Sequence, residues 1–350
     1  MKKLFFILAC FPLLFGYQVS GDFVFYPGIL FPLFYILWTR RISSHLIFVI
    51  AAGLIIAFLN RVNIVSLAYY LFGLVYIICR PNVSRKWIES TFNIVILICF
   101  VSVVLDFTGV GLVDIFTSYD RRLMIDDRSI YLIARPTGFY REPSALGLVL
   151  GSIYAVALSN NLKINYNLLI VSGLSTLSLS FVLVVTIAFM LYSTLKYKSA
   201  KLISVLVLIA VAFKRRILLI VDVLQNSNLS LEEINLSIVK RYVQPTYAMI
   251  EFLTNGVDYR LLFGFGPGGY KEYLQSSYAY IIGSDLGEGY LLNIYGNYLM
   301  SFGIIFGLIF LFVLRKVYNK QEFPFLVLLF CQGIAVVHPV FLIASLKIQK

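Results

Sequence analysis

Charge is what this chain has least of. Only 13% of its 350 residues are charged, against roughly 25% in an ordinary soluble domain. Hydrophobic residues make up 60%, and mean hydropathy is +0.88. No soluble fold of this length could hide so much apolar surface, so it must face lipid, and a soluble enzyme is excluded. Histidine is nearly missing, with His45 and His338 alone. The four cysteines, Cys10, Cys79, Cys99 and Cys331, each lie in an apolar run, and no pair has zinc-ligand spacing. They read as buried thiols, and no metal or other cofactor is expected. Internal repeats and low-complexity tracts are lacking as well.

The net charge of +12 does not point to nucleic acid. The basic residues form short clusters between apolar runs, as membrane anchors do, and no continuous basic stripe exists. Length alone would allow two domains, but apolar segments run from end to end, so a single membrane domain over 1–350 is expected. The opening Met1-Lys2-Lys3 and the apolar residues after it look like a secretory signal. No small-x-small cleavage site follows, and the segment is read as the first span.

The apolar runs cover 4–19, 23–38, 45–59, 62–79, 90–112, 143–159, 165–194, 199–213, 288–314 and 323–346. A span needs about 20 residues, so 165–194 is long for one and short for two. Charge arbitrates. With the amino-terminus inside, Lys2, Lys3, Arg40, Arg41, Arg80, Arg85, Lys86 and Lys163 fall inside. The cluster Lys196, Lys198 and Lys201 is also inside by the positive-inside rule if 165–194 crosses twice, turning near Ser175, Ser178 and Ser180. Arg315, Lys316 and Lys320 then follow. These segments carry 14 of the 29 basic residues but, among acids, only Glu89 and Glu322. Lys214, Arg215 and Arg216 fall at an outer end, where they can snorkel. The expected fold is all-α: a polytopic membrane protein of about eleven transmembrane helices with its carboxy-terminus outside and two long outer loops, 113–142 and 222–287.

Long loops are often functional. The first holds Arg121, Arg122, Arg128, Arg135 and Arg141 without a lysine, and Asp114, Asp120, Asp126, Asp127 and Glu142 balance them. Arg–carboxylate pairs that tie the loop together are one reading. The other uses the arginine bias, because guanidinium stays charged and meets phosphate bidentately. The loop ends Arg135-Pro136-Thr137-Gly138-Phe139-Tyr140-Arg141-Glu142-Pro143, a Pro- and Gly-set turn leading into a helix whose first position suits Pro143.

This string resembles the Arg-x-Thr-Gly-Phe…Glu-Pro signature of the O-antigen polymerases (Wzy-type) and the related O-antigen ligases. Further on, Ser237 to Arg241 resembles the family's Ser-x-x-x-Arg, and Phe263-Gly264-Phe265-Gly266 its Phe-Gly-x-Gly turn, which Tyr270 follows. The segment Glu288–Phe310, with Asn293, Asn297, Gly303 and Gly307, is again similar. Gly264, Gly266 and Gly269 also satisfy Gly-x-Gly-x-x-Gly, but no strand–turn–helix unit surrounds them, so dinucleotide binding is set aside.

The resemblance implies a metal-independent glycosyltransferase of the bacterial inner membrane, with its active site facing the periplasm. Its substrate would be undecaprenyl-diphosphate-linked oligosaccharide, and a chain-length regulator and a flippase of the same pathway would be its partners. On this reading Arg135, Arg141, Glu142 and Arg241 are catalytic. Arg121, Arg122, Arg128, Gly264, Gly266, Tyr270, Glu288 and Asn293 bind substrate. Glu142, Glu288 and Asp285 compete for the role of base. The ligases carry a histidine in the large outer loop, and its absence here favours the polymerase. A ligase, or a flippase of lipid-linked sugars, remains the alternative. Asp106, late in its span, is either an interfacial residue or a helper, and His338 either packs or serves the site.

Overall fold

The computed structural model describes residues 2–11, 17–20, 23–25, 30, 43–59, 64–108, 136, 138–140, 143–192, 244–254, 259–266, 269–270, 273, 294–320, 322–330 and 339–349. Most of these residues are helical. In chain order the elements are α1 (Lys2–Cys10), β1 (Tyr17–Ser20), β2 (Phe23–Phe25), α2 (Ser44–Leu59), α3 (Ile64–Cys79), β3 (Asn82–Ser84), α4 (Arg85–Phe107) and α5 (Pro143–Ser159). After them come α6 (Tyr166–Ser175), α7 (Leu179–Tyr192), α8 (Gln244–Thr254), α9 (Tyr259–Phe263), α10 (Ile294–Val317), α11 (Glu322–Phe330), α12 (Pro339–Ala344) and β4 (Lys347–Gln349). Two helices, Arg85–Phe107 and Tyr295–Val317, are long and apolar enough to cross a membrane. Their outward faces, and those of shorter helices, are oily: Phe58 is 87% exposed, Leu308 63% and Phe312 62%. Water would oppose such a surface and lipid would accept it.

The chain divides into two compact units, one of residues 1–41, 79–206 and 338–350, the other of 42–78 and 207–337. In the first, α5 is enclosed on nearly every side, with Leu146, Val149, Leu150 and Ile153 fully buried. Its neighbour α7 runs parallel to it. Gly147 faces Ser178 and Gly151 faces Val184 so closely that an added Cβ would stand 2.8 and 2.9 Å from their side chains. Small residues at such seams let helix backbones approach where no hydrophobic drive separates helix from lipid.

The expected turn inside 165–194 is present. α6 ends at Ser175, α7 begins at Leu179, and Thr176 Oγ1 between them accepts the Ser178 amide at 3.2 Å. Because α7 parallels α5, it returns the chain toward the Lys163 end of the unit. That end is tied by polar contacts. Glu89 accepts from Arg85 Nε at 3.0 Å and from the Lys163 amide at 2.9 Å, while Asn93 accepts the Asn165 amide at 2.8 Å. Asn165 in turn caps α6 by accepting the Leu168 amide at 3.1 Å. Lys3 donates to Ser90 at the same end.

Two features depart from expectation. Residues 4–19 are not one helix, since α1 stops at Cys10 and β1 pairs antiparallel with β2. β-branched and aromatic residues in 17–25 fit a short pleated pair as well as they fit a span. More consequentially, β4 pairs parallel with β3, joining Lys347 to Asn82 and Gln349 to Ser84, and Arg80 Nε donates to the Ser345 carbonyl at 3.2 Å. Residues 347–349 thus lie at the end of the unit that holds Lys3 and Arg85. Residues 331–338 of the expected last span, 323–346, lie outside the described residues, and α11 and α12 flank them.

In the second unit, α2 packs on α3 and α10. A Cβ on Gly53 would meet Leu71 at 3.1 Å and Phe306 at 3.9 Å. Tyr318, just past α10, donates to the Ile77 carbonyl at 2.7 Å. Asn319 and Glu322 cap the start of α11 reciprocally. α10 is broken at Gly303, where φ is +75°. Tyr298 from its first half stacks on Phe310 from its second, with ring centroids 5.7 Å apart at 10°.

Candidate functional site

Of the expected site residues, Arg121, Arg122, Arg128, Arg135, Arg141, Glu142, Arg241, Glu288 and Asn293 lie outside the described residues, as do Asp285 and His338. The described part of the first signature is Pro136 and Gly138–Tyr140, and it is held at four points. Asp106 Oδ2, at the last turn of α4, accepts the Gly138 amide at 2.7 Å. Gly138 has φ of +58°, and a Cβ there would stand 2.6 Å from Ser102 Oγ. Only glycine meets both demands at low cost. The Phe139 ring packs edge-on against Phe11 at 5.4 Å, and the Tyr140 hydroxyl donates to the Cys10 carbonyl, the last residue of α1. Phe139 and Tyr140 are buried at 7% and 2% exposure.

The turn is therefore seated where α1 and α4 end, and α5 starts at Pro143 immediately after it. α1 and α4 run parallel: Lys3 lies by Ser90 at one end, and the turn bridges Cys10 and Asp106 at the other. The polar knot of Arg85, Glu89 and Lys163 and the signature turn thus occupy opposite ends of this unit. Sequence reasoning weighed Asp106 without assigning it a partner and overlooked Ser102. The available signal was a lone acid late in an otherwise apolar helix, about thirty residues ahead of a glycine-centred turn.

The second signature lies in the other unit, and there Gly264, Gly266 and Tyr270 do come together, on the broken helix α10. At Gly303 the helical ladder is interrupted, which frees the carbonyls of Met300 and Ser301. The amides of Phe265 and Gly266 take them at 2.9 and 2.8 Å. An exposed carbonyl in an apolar setting costs several kcal/mol (roughly 2–7), so the break and the turn stabilise each other. Gly264 and Gly266 have φ of +76° and +80°. The Tyr270 hydroxyl donates to Asn297 Oδ1 on the first half of α10, and Tyr270 is fully buried in a cluster with Ala248, Phe252 and Met300. Tyr270 is thus a packed anchor of the turn.

Arg260 was not among the expected residues. It is exposed, one turn before Gly264, and its guanidinium lies 5.3 Å from the Phe265 ring centroid and 5.7 Å from that of Tyr259.

No protein-family model, curated protein or solved structure matches this chain. The class defined by fold and composition is a helical protein in which, among the described residues, two helices are long and apolar enough to cross a membrane.

Proposed function

We propose that this chain is a multi-pass protein of the bacterial inner membrane that polymerises undecaprenyl-diphosphate-linked oligosaccharide repeat units at the outer face. The observation that carries the reading is the seating of Gly138–Tyr140 by Asp106, Ser102 and Cys10. Gly138–Tyr140, within the segment that resembles the polymerase signature, is held as a turn at the end of its unit opposite the Arg85–Lys163 cluster. On this reading both termini are inside, the number of crossings is even, and 113–142 and 222–287 are periplasmic.

The chemistry is a displacement at the anomeric carbon of the lipid-linked donor glycan. A hydroxyl of the acceptor repeat unit forms the new glycosidic bond. The bond from the anomeric carbon to the lipid diphosphate breaks, and its electron pair leaves with the diphosphate. Charge grows on that leaving group, so fixed guanidinium groups lower the barrier. Arg135, Arg141 and Arg241 are assigned to this role, with Arg121, Arg122 and Arg128 as further phosphate contacts. Glu142 takes the acceptor's proton, with Glu288 and Asp285 as the other carboxylates available. The absent loop histidine favours polymerisation over ligation to a lipid A core.

One observation favours a second reading. Broken helices of the kind formed at Gly303 line substrate sites in transporters. Here the freed carbonyls of the break are taken by Phe265 and Gly266, which weighs against a substrate doing so.

The test is the surface-glycan ladder of a deletion strain complemented with the normal gene or with Arg141→Ala at equal expression. A polymerase gives core plus a single repeat unit in the deletion and in the variant. Bare core, with long glycan retained on its lipid carrier, identifies a ligase. Unpolymerised repeat units trapped on the inner face identify a transporter.

A further inference from the structure

We infer that Asp106 is a positioning residue: its carboxylate holds the Gly138 amide and thereby fixes the turn Gly138–Tyr140 that precedes α5. The inference rests on the proposed function for its kinetic part and on geometry alone for its structural part. Asp106 lies in the last turn of α4, only partly buried, and its Oδ2 receives the Gly138 N–H at 2.7 Å. A backbone amide bound to a carboxylate is among the stronger hydrogen bonds available. Around it the turn is fixed by other means. Ser102 limits Gly138 to a glycine, Phe11 holds Phe139, and the Cys10 carbonyl holds Tyr140. These contacts act on side chains or on space. Asp106 acts on the backbone of the turn, three residues before Arg141.

A residue with this role touches no reacting atom. What it supplies is an acceptor at a defined place, so asparagine, whose amide oxygen can accept the same bond, should replace it. Alanine should not. If Asp106 instead took a proton from substrate, asparagine would fail as badly as alanine, since it is no base at ordinary pH.

The experiment uses the full-length protein in nanodiscs, as wild type, Asp106→Asn and Asp106→Ala. Amide hydrogen exchange is followed in the peptide containing Gly138, with the peptide spanning Leu146–Ala157 as the folding control. Turnover and KM are measured on lipid-linked repeat units. Loss of one charge-assisted hydrogen bond predicts exchange at Gly138 about 10–100-fold faster in Asp106→Ala, with α5 still protected. A fall in kcat of about the same factor should accompany it, with KM little changed, because misplacement costs transition-state contacts more than binding. Asp106→Asn should restore both to within about threefold.

Two results overturn the inference. One is unchanged Gly138 exchange in Asp106→Ala. The other is a protected Gly138 in Asp106→Asn together with lost turnover, which makes the carboxylate itself the acting group. If α5 also loses protection in Asp106→Ala, Asp106→Asn decides alone. If no variant, including Arg141→Ala, alters glycan polymerisation while the exchange results are as expected, the proposed function fails and the backbone clamp stands.

Discussion

Gly303 and Gly264 lie back to back, backbone against backbone. A Cβ built on Gly303 would stand 2.5 Å from the Gly264 nitrogen, and one built on Gly264 would stand 2.5 Å from the Phe302 nitrogen. Both glycines have positive φ, +75° and +76°. The helix breaks so that the turn can enter, and the turn fills the hydrogen bonds the break leaves open.

Gly303→Ala and Gly264→Ala should therefore undock the turn. In an ordinary helix, Gly→Ala would stabilise by about 1 kcal/mol. Here the new Cβ meets backbone, which cannot rotate away, and φ is unfavourable by about 1–2 kcal/mol besides. We expect each variant to unfold at clearly lower temperature in detergent and to become sensitive to limited proteolysis near residues 255–275. Unchanged melting with Gly303→Ala would mean that the break is not held as described.

The seat of Gly138 gives a separable prediction. Gly138→Ala meets three obstacles, Ser102 Oγ at 2.6 Å, the end of the Leu146 side chain at 3.3 Å and a φ of +58°. Ser102→Ala removes the first and leaves Ser102 Cβ, at 3.5 Å, as an ordinary contact. The double variant should recover part of the lost stability and retain a deficit of about 1–2 kcal/mol from φ. A thermal-shift double-mutant cycle measures this. Strict additivity of the two substitutions would show that the Ser102 contact does not limit residue 138.

The pairing of β3 with β4 predicts the side of the carboxy-terminus. Asn82→Cys and Lys347→Cys should respond alike to a membrane-impermeant maleimide. Neither should react in intact spheroplasts, and both should react in inverted vesicles. Labelling of residue 347 alone in spheroplasts would restore an odd number of crossings and rule out the strand pairing.

Much of this was readable from the residues. The scarcity of charge and the long apolar runs pointed to apolar helices, and among the described residues two are long enough to cross a membrane. The serines at 175, 178 and 180 marked a turn, because hydroxyls that bind nearby backbone end a helix. Gly138 and Gly264 stood out as turn positions where a backbone without a side chain is worth having.

Other features could not be read along the chain. Asp106 and Gly138, or Gly303 and Gly264, are each separated by more than thirty residues, and no periodicity links them. The short β4 is too brief to carry a pattern, and its partner, Asn82–Ser84, lies far away in sequence. Composition and local spacing determined that the chain is helical, where it turns and which loops carry arginine, because those depend on each residue's own solvation and backbone preference. Which carboxylate holds which amide, which carbonyls a broken helix offers, and which strand Lys347–Gln349 joins were decided by tertiary structure. Those choices depend on what the fold brings within about 3 Å, the reach of a hydrogen bond.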